Sequence, residues 1–334
     1  MTTTTRLALV PLAPLALFLT IPAQAVAEVP HAGPHFSGTL SGGVLNVDDR
    51  DTDLWAFKAE AGVDGLYRVN DDLRIRYELI GDFANAINSV DAQTWTPGAH
   101  AQEEGEIYVR TARVFLLTDY GSLGLQPRAP SGFWGQIYRN IDTFEYNRLH
   151  KQTGQNAIFG QPEQGSDVLS YGSPTFHGFR FIGAVLTPDN HNDEELDVVT
   201  GRLVYDQGPL NAGIGHTRID TPADDGYDLT RTSFGLGYDF GMIRLGGVYE
   251  HNDDRADGMD RGFEAWGLNA SARFTDAWSA SLGYAENNKP GDADNSNVTG
   301  IVRHHFNDQV YAFLEAATYQ NSDDNLAAGI SVSF

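Results

Sequence analysis

The sequence contains no cysteine among its 334 residues. Without a thiol the chain can form no disulfide, no zinc–thiolate site and no cysteine nucleophile. Basic residues are also scarce, since 22 lysines and arginines stand against 45 aspartates and glutamates, and the formal net charge is -23. Nucleic-acid binding needs clustered basic side chains to neutralise phosphates, so this composition argues against a nucleic-acid partner.

Long apolar runs are missing beyond the first 25 residues. A membrane-spanning helix needs about 18 or more consecutive apolar residues, so none is predicted in the rest of the chain. Residues 1–25 have the pattern of a signal peptide, with Arg6, an apolar stretch over 7–21 and the small-residue cleavage sequence Ala23-Gln24-Ala25. A cut after residue 27 is the alternative, and a short membrane anchor is disfavoured because three prolines fall within the segment. Residues 26–334 are predicted to form a single domain.

Enzyme signatures are also missing. The chain has no Gly-x-Ser-x-Gly elbow, no Walker A loop and no His-Glu-x-x-His helix. His304 and His305 are adjacent and point to opposite faces of a strand, so they cannot share a metal ion. His216 is the one obvious starting point for a barrel hydrolase, which is the enzyme alternative. The sequence therefore predicts a protein without enzymatic activity, cofactor or metal.

From residue 165 onward, pairs of strands alternate with short turns and long acidic loops at a spacing of roughly 33 residues. Consistent sorting of connections by length is typical of an outer-membrane β-barrel, whose short turns face the periplasm and whose long loops face outward. About sixteen antiparallel strands are predicted, an even number as a closed bacterial barrel usually has. They lie near 36–46, 54–68, 72–84, 106–118, 121–127, 166–173, 178–187, 196–206, 209–219, 229–239, 242–251, 262–274, 277–286, 296–306, 309–319 and 325–334.

Within these strands, apolar and polar residues alternate with a period of two. Seven arginines fall on the phase opposite to the aliphatic and aromatic residues: Arg74, Arg76, Arg180, Arg202, Arg244, Arg273 and Arg303. An arginine facing lipid near the midplane would cost about 2–4 kcal/mol. Arg218 is the exception, and it lies at a strand end where this cost is small. The pattern predicts a wet interior and a lipid-facing exterior.

An exported β-sandwich with one dry face is the alternative, because alternation alone does not say which face is buried. Aromatic residues at the strand ends beside turns favour the membrane, since they fit an interfacial girdle. Small polar-phase residues and the aromatic C-terminal residue Phe334 favour it as well.

Three segments resemble the general Gram-negative porin family: Gly329–Phe334, Thr118–Leu125 and Ser170–Phe179. The first is similar to the C-terminal signal that the barrel-assembly machinery reads, although Val332 stands where an aromatic residue is usual. The resemblance covers essentially the whole mature chain. It implies a homotrimer of sixteen-stranded barrels in the outer membrane of a Gram-negative bacterium and passive diffusion of small hydrophilic solutes and ions. A solute-selective channel of the same fold is the second possibility.

The resemblance also implies that the third long loop, approximately 129–165, folds into the lumen and narrows the pore; an extracellular flap is the alternative. A charge filter there would need two facing sets of side chains. The predicted wall set is Arg74, Arg76, Arg110 and Arg113, where Arg113 joins the phase of Arg110 only if a β-bulge intervenes. The predicted loop set is Asp142 and Glu145, and the lumen wall continues with Arg180, Arg202, Arg244, Arg273 and Arg303. Hydration of a water-filled lumen is the competing explanation for any single arginine.

The acidic loops suggest two further interactions. Their charge attracts counter-ions to the mouth of a channel, so a weak preference for cations is expected. Binding of calcium, or bridging of lipopolysaccharide through divalent cations, is a further possibility, but simple hydration of the loops is the favoured explanation. The barrel itself is expected to contact outer-membrane lipid.

Overall fold

A computed structural model describes residues 32–88, 107–147, 157–186, 198–220, 228–256, 259–290, 294–321 and 323–334. These residues all belong to one compact unit, His31–Phe334. The predicted signal peptide lies outside the described residues, so its cleavage remains a prediction.

One antiparallel sheet contains every long strand of the described chain. Its strands are β1 Ala32–Val47, β2 Asp53–Arg68, β3 Arg74–Asp82, β4 Tyr108–Thr118, β5 Gly121–Pro130, β6 Gln164–Gly172, β7 Phe179–Leu186, β8 Val198–Gln207, β9 Leu210–Asp220, β10 Asp228–Asp239, β11 Ile243–Ala256, β12 Phe263–Arg273, β13 Trp278–Asn287, β14 Asn295–His305, β15 Val310–Tyr319 and β16 Asn325–Ser333. A two-residue strand, Met259–Asp260, pairs with the end of β11. Each long strand pairs with its neighbours in sequence.

The sheet closes on itself because β1 pairs with both β2 and β16. Thr39 lies opposite Ser333 in this closing register, and their hydroxyl groups are 3.2 Å apart. The terminal residue extends the pairing, since Phe334 and Gly38 exchange two backbone hydrogen bonds of 3.0 Å. The predicted closed barrel of sixteen antiparallel strands is confirmed.

Short turns join the strands at one end of the barrel. Four of them place a glycine at positive φ, among them Gly208 with φ 62° and Gly241 with φ 92°. Residues other than glycine rarely adopt this conformation. Three aromatic residues beside the turns are exposed: Phe240, Phe274 and Phe306. This is the position expected for an interfacial girdle.

The predicted alternation of faces is confirmed along the strands. On β12, Leu268 is 55 % exposed, whereas its neighbour Asn269 is 5 % exposed. The same alternation separates Phe234 and Leu236, which are exposed, from Ser233, which is buried. We call the face with the exposed apolar residues the apolar face, and the opposite one the polar face.

Most of the buried aromatic residues that the structure describes lie in the connection between β5 and β6. We call residues 131–163, of which 131–147 and 157–163 are described, the β5–β6 segment. It contains the short helix α2, Gly132–Gln136, and a 3₁₀-helix, Tyr138–Asn140; the other helix, α1, is Ala84–Ile87. None of the described helices has the length and apolar character needed to cross a membrane.

The β5–β6 segment is slightly shorter than predicted, because β5 and β6 extend their pairing to Pro130 and Gln164. Its buried side chains form a hydrophobic cluster with residues of the polar face of the barrel wall. The cluster contains Phe133, Ile137, Tyr138 and Ile141 from the segment, and Val248, Ala265, Ala285, Ile301, Phe313 and Ala327 from the strands.

Candidate functional site

The first attachment of the β5–β6 segment is the side chain of Glu250 on β11, which has no solvent exposure. It accepts hydrogen bonds from the hydroxyl group of Tyr138 and, at 2.6 Å, from the backbone N–H of Gly160. The Tyr138 hydroxyl group also lies 2.7 Å from Ser233 on β10. Both limbs of the segment are therefore bound to one buried carboxyl group.

The second attachment is Glu315 on β15, which is also fully buried. Its two carboxyl oxygens accept the backbone N–H groups of Glu145, Tyr146 and Asn147, with distances of 2.6, 3.1 and 2.5 Å. The Asn147 side chain continues the network to Asn325 on β16, 2.6 Å away. Three consecutive N–H groups on one carboxyl group fix the backbone direction of the segment at this point.

Three of the predicted lumen-wall arginines bind the same segment. Arg202 donates from Nε to Gln136 at 3.0 Å, and Arg244 donates from Nη2 to Asn140 at 2.7 Å. Arg303 pairs with Glu145 at 3.0 Å and also donates to the backbone oxygen of Thr143 at 2.6 Å. The arginines on β8, β11 and β14 therefore serve as fixed donors to the segment.

Glycines on the polar face make room for this packing. A Cβ atom on Gly235 would collide with the backbone oxygen of Ile137, and one on Gly246 would come within 2.5 Å of the Cβ and the backbone oxygen of Asn140. The small residues noted in the sequence thus let the 3₁₀-helix approach the backbone of β10 and β11.

The predicted wall set divides into two parts. Arg110 pairs with Glu60 on β2, and Arg113 donates from Nε to Glu78 on β3 at 2.5 Å. The register of β3 against β4 shifts between Ile80 and Gly81, leaving Arg110 as an extra residue. This is the β-bulge that the sequence required for Arg110 and Arg113 to share a face.

The other part of the wall set, Arg74 and Arg76, lies beside the turn that precedes β3. Arg74 is opposite Arg68 and is the first residue of the strand, whereas Glu78, the partner of Arg113, comes four residues later. At a rise of 3.3 Å per residue, that separation is about 13 Å along the strand. Arg74 therefore stands at a different height in the barrel from Arg113.

The remaining predicted residues have local contacts. Arg180 on β7 donates to the Ser122 hydroxyl group at 3.0 Å and to the backbone oxygen of Ser173 at 3.2 Å. Arg273 is exposed and donates to the backbone oxygen of Asp276 in the adjoining turn at 3.1 Å. Asp142 lies just after the 3₁₀-helix and donates its N–H to the Tyr138 oxygen at 3.2 Å.

The sequence analysis missed one buried arginine, Arg231 on β10, which is 5 % exposed. It shares the phase of Ser233 and Gly235, so the alternation signal that found the other arginines was available for it. The guanidinium group of Arg180 reaches Gly172 from the neighbouring strand, since a Cβ atom on Gly172 would collide with its Nη2.

Comparison with known proteins gives the family. The model of the family described as Gram-negative porin matches residues 12–324. The chain belongs to the Gram-negative porin family. No curated protein matches this porin in sequence.

Solved structures agree with this porin in fold. The anion-selective porin from Comamonas acidovorans is 16 % identical, with 91 % of this chain and 100 % of that chain covered and a TM-score of 0.74. OmpT of Vibrio cholerae, in a trimer form, is 14 % identical over 91 % of this chain and 100 % of its own, with a TM-score of 0.68. OmpF of Salmonella typhi, in a complex with daunomycin, is 15 % identical, with 90 % of this chain and 97 % of that chain covered and a TM-score of 0.68.

As a Gram-negative porin, the barrel is a channel in the outer membrane, and its family and fold point to a channel rather than an enzyme. The apolar face meets lipid, and the polar face lines the lumen. His216, the starting point of the hydrolase alternative, lies exposed on the apolar phase and contacts the Thr232 hydroxyl group at 2.9 Å.

A channel that selects sugars would need an open track of aromatic rings along the lumen. The aromatic residues on the polar phase of β15 are Tyr311, Phe313 and Tyr319. Phe313 and Tyr319 are 5 % and 9 % exposed, and Phe313 stacks edge-on against Phe57 with ring centroids 5.4 Å apart. These rings pack in the wall beneath the β5–β6 segment, so they do not offer an open stacking surface.

Proposed function

We propose that this porin allows passive diffusion of small hydrophilic solutes and ions through a lumen that the β5–β6 segment enters and narrows. The observation that carries the proposal is the pair of buried carboxyl groups, Glu250 and Glu315, which bind the segment from the polar face. An extracellular flap would have no reason to bury its aromatic residues against that face.

The distribution of the contacts supports entry into the lumen. The segment contacts Arg202 on β8, Glu250 on β11, Arg303 on β14 and Glu315 on β15, and Tyr146 stacks on Phe57 of β2 with ring centroids 5.8 Å apart. All of these wall residues lie on the polar phase of a closed cylinder. A segment of about 33 residues reaches strands so far apart around the wall most directly by crossing the interior.

The narrowest section is proposed between the segment and the wall at β3–β5. Arg113 and Gln136 line the same cavity, so α2 and the β4 wall face a common space. Arg110, Arg113, Arg74 and Arg76 would supply the positive side at successive heights. Asp142 would supply the negative side from the segment, since the predicted Glu145 carboxylate is already paired with Arg303 on β14. The field between such charged sets sorts solutes by charge and dipole.

Partners are proposed by analogy with the family. A homotrimer is supported by the trimer form of the Vibrio cholerae relative and by the broad apolar face of the barrel. Export through a cleaved signal peptide, reading of Phe334 by the barrel-assembly machinery and contact with lipopolysaccharide complete the proposal. Analysis of the mass of the purified complex in detergent tests the trimer.

Substituted cysteines test the channel and its narrow section, because the natural chain has no thiol that would react in the background. We expect Arg113→Cys to lose a large part of its single-channel current when a charged methanethiosulfonate reagent is added. Asp142→Cys should respond in the same way, since it is proposed to face the same passage. The measurement is conductance in planar bilayers before and after the reagent.

Leu268→Cys is the matched control, because its side chain is 55 % exposed on the apolar face. The reagent should leave its current unchanged. Equal loss of current at Leu268 would contradict the assignment of faces. A full current after complete labelling of both Arg113→Cys and Asp142→Cys would contradict the proposed narrow section, while leaving the channel itself intact.

A further inference from the structure

Four arginines of the wall line one cavity of about 250 Å³, beside the two ends of the β5–β6 segment where it joins β5 and β6. They are Arg113, Arg180, Arg202 and Arg231 on strands β4, β7, β8 and β10. Among the residues that the structure describes, no aspartate or glutamate lines this cavity. Glu163 lies between two lining residues in sequence but is not part of the lining.

Two of these arginines have only neutral hydrogen-bond partners. The acceptors of Arg180 are Ser122 and the backbone of Ser173, and the acceptor of Arg202 is Gln136. The guanidinium group of Arg202 also stacks over the ring of Phe133 at 5.0 Å. In the described part of the chain, no carboxylate forms an ion pair with either arginine, so their charges act on the cavity without neutralisation nearby.

Arg231 adds a buried hydrogen-bond donor to the lining of the cavity. Its Nε donates to Asn252 at 2.6 Å and lies 3.8 Å from Glu250. Its Nη1, however, is buried and finds no hydrogen-bond partner among the described residues, although the side chain is almost fully buried. A buried donor without an acceptor is rare in folded proteins, and a water molecule or a polar ligand in the cavity would satisfy it.

The lining also indicates the chemistry of that occupant. Neutral polar side chains such as Gln126, Ser170 and Thr200 offer further hydrogen bonds, and Ile182 and Leu186 offer apolar contact. Guanidinium groups bind carboxylates with paired, charge-assisted hydrogen bonds. Apolar side chains with a few convergent polar groups are typical of sites for small organic molecules.

We propose that this cavity binds small organic carboxylates, dicarboxylates above all, as a resting site on the way through the pore. Arg180 and Arg202 bind the carboxylates, Arg231 completes the hydrogen bonding, and the aliphatic side chains contact the hydrocarbon part. The inference rests on the proposed function, because the ligand must reach the cavity from the aqueous lumen.

Succinate is the probe, and succinamide is the neutral analogue of the same length. In planar bilayers at constant KCl concentration, succinate should reduce the current of the natural porin in a saturable way, and succinamide should not. Arg202→Gln and Arg180→Gln should each raise the dissociation constant for succinate about tenfold or more, as loss of a charge-assisted hydrogen bond predicts. Arg68→Gln is the matched control, since it removes one polar-phase arginine that pairs with Asp71 at a turn. It should change the constant less than about twofold.

Each variant is first required to conduct KCl, which shows that it has folded and inserted. If the natural porin conducts KCl but its current shows no saturable response to succinate, the proposed carboxylate site is wrong. The proposed channel function would not be affected by that result. An equal effect of Arg68→Gln and Arg202→Gln would also overturn the carboxylate site, because general lumen charge would then explain the response. Inorganic phosphate bound as tightly as succinate would overturn the assignment to organic carboxylates.

Discussion

Glu250 and Glu315 show how a single residue can determine the path of a long segment. A carboxyl group taken out of water is costly unless donors surround it. Here each group is surrounded by donors of the β5–β6 segment, among them four backbone N–H groups in total. If the segment moved away from the wall, both the carboxyl groups and the N–H groups would be left buried without hydrogen-bond partners. The attachment therefore stabilises the position of the segment.

Replacement of Glu315 by alanine tests this at the residue scale. The N–H groups of residues 145, 146 and 147 would lose their acceptor, at about 1–3 kcal/mol for each donor that stays buried. We expect the segment to leave the wall, with larger current fluctuations in single-channel recordings and faster cleavage of the segment by trypsin. Glu264→Ala, an exposed acid on β12, should behave like the natural chain. If Glu315→Ala shows no increase in current fluctuations and no faster cleavage by trypsin, the Glu315 carboxyl group is not needed to hold the segment against the wall.

At the scale of elements, the strands could be predicted from the sequence and the β5–β6 segment could not. A period of two over ten residues is set by local sequence, so strand positions such as 53–68 and 310–319 follow from it closely. The helix α2, Gly-Phe-Trp-Gly-Gln, has two glycines in five residues and no helical signal of its own. Its form depends on burial of Phe133 and Trp134 against strands that are distant in sequence.

The same limit applied to the candidate site. The sequence could predict that Arg202, Arg244 and Arg303 lie on the polar face, because this prediction needs only the alternation of residues within each strand. Their partners on the segment depend on which strands meet it, and alternation carries no information about that. Arg231 was within reach of the same alternation, since it shares the phase of Ser233 on its own strand. The approach of the Arg180 guanidinium group to Gly172, in contrast, depends on the neighbouring strand.

A pair of glycine substitutions tests the fit between segment and wall. Gly235→Ala would push its Cβ into the backbone of Ile137, whereas Gly300→Ala would meet its nearest atom, on Leu282, at 3.7 Å. Overpacking of this kind typically costs about 1–3 kcal/mol, so we expect Gly235→Ala to lower the free energy of unfolding by that amount. Gly300→Ala should change it by less than about 0.5 kcal/mol. Equal stability of the two variants in thermal unfolding would contradict the close approach.

For the whole molecule, the net charge of -23 sets the field that an approaching ion meets. Cations should accumulate at the mouth even though arginines line parts of the wall, because the long connections that the sequence predicts to face outward are rich in aspartate and glutamate. We expect a reversal potential that indicates weak cation preference at about 0.1 M KCl and a smaller one at about 1 M, where the screening length falls from about 10 to 3 Å. A firm preference for anions at low salt would contradict this explanation of ion selectivity by acidic charge. A cation preference that does not change with salt concentration would also contradict it.

Closure of the barrel has a consequence for biogenesis. The first strand pairs with the last, and the side-chain contact between Thr39 and Ser333 joins residues 294 positions apart. A chain that emerges with its amino terminus first must therefore keep β1 unpaired on one side until β16 has arrived. Such an open edge invites aggregation, and contacts so remote in sequence form slowly. We therefore expect any nascent copy of this porin to require a holding chaperone between translocation and insertion.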